Sequence, residues 1–83
     1  MQTLNEKLVA IAADITVLYA EDNSETRTQY ENIFKLLFKE VKSAENGAIA
    51  LEEYKSKKYD LVITDLTMPV LDGVRLISEI LDI

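Results

Sequence analysis

The chain has 83 residues, 48% of them apolar and 29% charged, and a formal net charge of −6. This allows one small domain of ordinary globular composition with a modest core, and the acidic balance argues against a nucleic-acid-binding surface. The sequence contains neither cysteine nor histidine, which excludes disulfides, thiol chemistry, His-ligated zinc and His general bases, and fits a cytoplasmic protein. No apolar run approaches the roughly 20 residues of a membrane span, and Met1-Gln2-Thr3-Leu4-Asn5-Glu6-Lys7 lacks the basic-then-apolar plan of a signal peptide.

Along the chain, Leu4, Leu8, Ile11 and Ala12 recur at helical spacing. They predict a short amphipathic helix in an extension over 1–14, stable only if it docks. Residues 15–20, Ile-Thr-Val-Leu-Tyr-Ala, read as a central parallel strand covered on both faces. Asp22 or Asn23 caps a helix over 24–39, with Glu25 favouring its dipole. The spacing assigns Tyr30, Ile33, Phe34, Leu37 and Phe38 to its core face. Residues 41–44 form a short edge strand. Asn46-Gly47 then turns into a helix reaching residue 57, where Lys55, Lys57 and Lys58 form a solvated end. Residues 61–65 form a third apolar strand, Met68-Pro69 forces extended backbone, and Asp72-Gly73 opens a last helix over 74–81 with Leu76, Ile77 and Ile80 inward. Strands alternating with helices predict an α/β domain with a parallel sheet and right-handed crossovers.

Two strands end in acids, Glu21-Asp22 and Asp65. In open parallel sheets that end is where ligands bind. If the two strands are neighbours, the carboxylates converge and repel one another unless a cation lies between them. Oxygen donors without His or Cys select a hard ion, Mg²⁺ before Ca²⁺ or Mn²⁺. A carboxylate beside such an ion can act as a nucleophile toward a phosphoryl donor. The competing reading is that acids at a strand end only cap the next helix.

The segments Val17-Leu18-Tyr19-Ala20-Glu21-Asp22-Asn23, Asn46-Gly47-Ala48-Ile49-Ala50-Leu51 and Asp60-Leu61-Val62-Ile63-Thr64-Asp65-Leu66-Thr67-Met68-Pro69-Val70-Leu71-Asp72-Gly73 resemble the receiver domain of bacterial response regulators. The last, in that order and spacing, is the most specific. The resemblance implies a flavodoxin-like three-layer fold, here a partial receiver in which residues 15–83 supply the first three βα units with strand order 2-1-3. It implies that Asp65 is the phosphoacceptor, that a histidine kinase is the donor, and that Glu21, Asp22, Asp65 and the Thr67 backbone carbonyl hold Mg²⁺. It implies a signalling module and not an enzyme. A metal-dependent phosphohydrolase would want an acid at position 67, where threonine stands.

The matching stretch stops after the third unit. A receiver's later Ser or Thr and Lys, which contact the phosphoryl group, fall beyond it, so phosphorylation of these 83 residues alone is expected to be slow or absent. The third strand then forms an exposed sheet edge, and one sheet face beside the first helix lies open. The expectation is a homodimer that buries these surfaces. The alternative function is accordingly a non-catalytic, self-associating module.

Overall fold

The computed structural model describes residues 10–83. Three parallel strands, β1 (Thr16–Ala20), β2 (Glu40–Ala44) and β3 (Leu61–Thr64), form one sheet in the order β2-β1-β3. Val17 stands between Val41 and Leu61, and Ala20 between Ala44 and Thr64. The 2-1-3 order and the α/β class are therefore as expected. Helices α1 (Ser24–Leu37), α2 (Gly47–Ser56) and α3 (Gly73–Leu81) follow the three strands in turn. Most of the helix expected in the N-terminal extension lies outside the described residues; residues 10–12 are helical.

Side chains alternate across β1, and this makes three layers. Leu18 and Ala20 point to one face, into a core with Ala44, Ala50, Tyr59, Met68 and Leu76. That core is closed by α2 and α3. Tyr19 points the other way and meets α1, its ring edge-on to Phe34 at 5.2 Å and to Tyr30 at 6.5 Å. Each helix begins on a side-chain cap, as its sequence requires. Asn23 accepts from the Thr26 amide, Asn46 from that of Ile49 and Asp72 from that of Arg75.

The two faces are unequally covered. On α3, Leu76 is fully buried and Ile80 partly so. Ile77, expected inward, is 40% exposed, because it stands about 100° around the helix from Leu76, at the margin of the buried face. The larger departure is α1. Its predicted core face holds Tyr30 at 47%, Ile33 at 49% and Leu37 at 41% exposure, and the helix buries no residue fully. The helix meets that face of the sheet through Tyr30 and Phe34, which lie against Tyr19, and its apolar stripe is covered only in part.

At the N-terminal end of the sheet a polar latch joins β1 to the start of β3. The Thr16 amide and hydroxyl both donate to Asp60 Oδ2 at 3.0 Å, and the Asp60 amide donates to the Thr16 carbonyl at 3.1 Å. These hydrogen bonds hold the Asp60 carboxyl below its usual range. Lys57, expected to be merely solvated, pairs with Glu40 and lies over the Tyr59 ring at 5.4 Å.

Candidate phosphoacceptor site

The C-terminal end of the sheet positions the three acids. The Glu21 amide donates to the Ala44 carbonyl and the Asp65 amide to the Ala20 carbonyl, each at 3.1 Å. Glu21 is therefore fixed one step beyond β1 and Asp65 one step beyond β3, at the ends of neighbouring strands. One carboxylate oxygen from each of Glu21, Asp22 and Asp65 lies within 4.8 Å of the others. Glu21 and Asp65 are half-buried and Asp22 is exposed, so the cluster opens to solvent on one side. The donors are all oxygens, which is the chemistry of a hard divalent cation. Uncompensated carboxylates at this spacing repel one another, and a cation between them would relieve that repulsion.

Two of the three acids, Glu21 and Asp65, are also held by their loops. Glu21 Oε1 accepts from the Asn23 amide at 3.2 Å. Asp65 Oδ1 accepts from the Thr67 amide at 3.3 Å, and the Asp65 carbonyl accepts from the Thr64 hydroxyl at 2.9 Å. Thr67, expected to matter through its carbonyl, thus touches Asp65 through its amide. An open groove of about 430 Å³ runs from Asp65 and Glu21 past Thr64 to the rings of Tyr19, Tyr30 and Phe34. Burial pushes the Tyr19 phenol up from its ordinary value, and the charges of Glu21, Tyr30 and Asp65 add to the effect.

Three contacts at the site were not read from the sequence, although Gly47 and Gly73 were both read as turn residues. Gly73 is the first: a Cβ there would stand 2.1 Å from the Asp65 carbonyl oxygen. Gly47 is the second: its Cβ would stand 2.0 Å from the Leu71 carbonyl oxygen. Both glycines are needed for close approach of backbone to backbone. Arg27 is the third. Its Nη1 donates to the carbonyls of Glu21 at 2.9 Å and Asp22 at 3.4 Å. A sequence signals neither glycine contact, since each joins segments distant in the chain. Arg27 lies one turn inside a capped helix, where an arginine normally needs no explanation.

A family model of the response regulator receiver domain matches residues 17–82. The chain belongs to this family, whose members are signalling modules of two-component systems. It is similar to the chemotaxis protein CheY of Bacillus subtilis, with 42% identity over 65 residues, 77% of this chain and 54% of that protein. It is also similar to the sensor protein EvgS of Escherichia coli K12, with 31% identity over 75 residues, 90% of this chain and 6% of that protein. Among solved structures, the chemotaxis protein CheY4 of Vibrio cholerae aligns with a TM-score of 0.74 at 26% identity, over 82% of this chain and 57% of that one. The N-terminal domain of an uncharacterized protein from Wolinella succinogenes aligns at 0.79 and 29% identity, over 82% of this chain and 55% of that one. The chain spans about half the length of the CheY proteins it matches.

Proposed function

We propose that this chain is a phosphoacceptor receiver module of a cytoplasmic two-component pathway, charged on Asp65 by a histidine kinase. The observation that carries the reading is the grouping of Asp65 with Glu21 and Asp22 at one end of the sheet, within the stretch that matches the receiver family. In this reading Glu21, Asp22, Asp65 and the Thr67 carbonyl hold Mg²⁺, which when bound would neutralise charge on the phosphoryl oxygens during transfer. A carboxylate oxygen of Asp65 attacks phosphorus at the donor's N–P bond. The O–P bond forms as the N–P bond breaks, and the imidazole nitrogen leaves with the electron pair and takes up a proton. The product is an acyl phosphate on Asp65. The module accepts and presents a phosphoryl group and does not turn over a substrate, so it acts as a signalling element and not an enzyme.

The stretch that matches the receiver family covers residues 17–82, and in this reading the hydroxyl and cation that contact the phosphoryl group belong to receiver strands outside it. Each missing preorganised stabiliser costs roughly 3 kcal/mol, about a hundredfold in rate. Labelling is therefore expected to be slow, and intact-mass spectrometry over hours is the suitable measurement. With a small acyl phosphate or phosphoramidate and Mg²⁺, the wild type should gain one phosphoryl mass. Asp65→Asn should gain none, and chelation should stop the wild-type gain. Equal labelling of Asp65→Asn would remove Asp65 from this role.

A second reading is favoured by Tyr30, Ile33 and Leu37, each between 41% and 49% exposed on α1, and by Leu61 at 38% on β3. Beyond β3 the described residues provide no further strand. In that reading the chain forms a homodimer through the β3 edge and the α1 side of the sheet, with or without phosphorylation. Light scattering during size exclusion should then give twice the chain mass, falling toward the monomer on Leu61→Lys. A wild-type monomer at micromolar concentration would remove this reading.

A further inference from the structure

Glu21 and Asp22 occupy the gap between the last ladder residue, Ala20, and the first residue of α1, Ser24. Their amides and carbonyls lie outside both elements, and such groups need partners of their own. The Glu21 amide is taken up by Ala44. The carbonyls of Glu21 and Asp22 are taken up by one group, Nη1 of the half-buried Arg27. Arg27 is itself fixed: its own amide donates to the Asn23 carbonyl at 2.8 Å, and Asn23 caps the helix through Thr26.

The guanidinium thus sits beside a cluster of carboxylates yet directs its donors to main-chain oxygens. Among the described residues Arg27 forms no ion pair with any acid within 4.0 Å. The oxygens of Glu21, Asp22 and Asp65 consequently remain available to a cation, while the backbone that carries two of them is tied down. An arginine that only balanced the local negative charge would sit on the carboxylates themselves, where charge-assisted bonds are strongest.

We infer that Arg27 is a positioning residue for the cation site: it clamps the carbonyls of Glu21 and Asp22 and so fixes the direction of their carboxylates. This rests on the reading of that site as a Mg²⁺ site. Two effects of Arg27 on Mg²⁺ have opposite signs, and this makes the inference testable. As a nearby positive charge it opposes the ion, so removing the charge alone tightens binding. As a clamp it preorganises the acids, so removing it weakens binding, by roughly tenfold to a hundredfold for groups that orient metal ligands.

The test is calorimetric titration of the 83-residue chain with MgCl₂, with far-UV circular dichroism on every variant. Arg27→Met and the smaller, polar Arg27→Gln should each bind Mg²⁺ at least about tenfold more weakly, with spectra unchanged. Arg27→Lys keeps N–H donors near the carbonyls and should fall between Met and wild type. If Arg27→Met does not fold, Arg27→Gln decides. Affinity equal to or tighter than wild type in a folded Met or Gln variant would overturn the clamp, because a merely structural arginine leaves affinity unmoved and a merely electrostatic one moves it the other way. Asp22→Asn serves as the reference that loses a ligand. If the wild type and Asp22→Asn both take up no Mg²⁺, the cation site itself fails and the clamp with it, an outcome distinct from a wild type that binds and an Arg27→Met variant that binds equally well.

Discussion

Leu18→Ala is expected to lower stability by about 2–5 kcal/mol, the usual cost of emptying a fully buried leucine position. Leu18 has no exposed surface. It stands at the centre of the middle strand, between Lys42 on β2 and Val62 on β3. Its side chain faces the core built from Ala44, Ala50, Tyr59, Met68 and Leu76. Several of these neighbours are alanines or are held by backbone hydrogen bonds, so they cannot move inward to fill the space. Total stability for a chain of this size is only about 4–12 kcal/mol at typical values per residue. One side chain therefore accounts for a large fraction of it. Thermal unfolding followed by circular dichroism should show Tm falling by roughly 10–25 °C. Leu36→Ala is the matched control, since Leu36 is 86% exposed and surface changes of this kind stay within about 0.5 kcal/mol. A Leu18→Ala loss below 1 kcal/mol, or equal losses in both variants, would show that the core is not centred on β1.

The contrast between Leu18 and Leu36 also shows what the sequence made legible. β1 and β3 are short apolar runs ending in acids, and that pattern alone placed Asp65, Glu21 and Asp22 at one end of the sheet. Apolar periodicity does not encode strand order; that came from the receiver-like stretch around Asp65. The helix starts were legible, the first as a cap at Asp22 or Asn23 and the other two as turns at Asn46-Gly47 and Asp72-Gly73, because turns and caps are chemistry between near neighbours; the structure settles the caps on Asn23, Asn46 and Asp72. The α1 face was misread for the opposite reason. Periodicity marks Tyr30, Ile33 and Leu37 as residues suited to burial, but burial also requires a second surface, and only the three-dimensional arrangement shows how much of one is there. The Asp60–Thr16 latch, 44 residues apart in sequence, escaped for the same reason. So did Arg27, whose helix position says nothing about which carbonyls its guanidinium reaches.

Gly73→Ala should separate stability from site geometry. The added Cβ would fall 2.1 Å from the Asp65 carbonyl oxygen and 2.9 Å from its carbon. These are backbone atoms that cannot rotate aside, so the β3–α3 loop must shift. Alanine favours a helix by up to about 1 kcal/mol over glycine. That gain is small at the first helical residue, and overpacking costs about 1–3 kcal/mol, so the net change should be a loss. The Gly73 amide also donates to the Leu66 carbonyl at 3.1 Å, and this bond closes the loop that begins at Asp65. Displacing it moves the carboxylate relative to Glu21 and Asp22, whose own positions are set on β1 and α1. Mg²⁺ affinity should therefore fall by roughly tenfold or more, the scale seen when an orienting partner of a ligand is lost. Leu18→Ala, measured at a temperature where it is still folded, should keep near-wild-type affinity, because it weakens the sheet without moving its C-terminal end. Calorimetric titration of the two variants side by side decides the matter. If Gly73→Ala loses stability but binds Mg²⁺ as tightly as wild type, the close approach serves only packing, and Asp65 is aimed by β3 and the Thr67 amide alone.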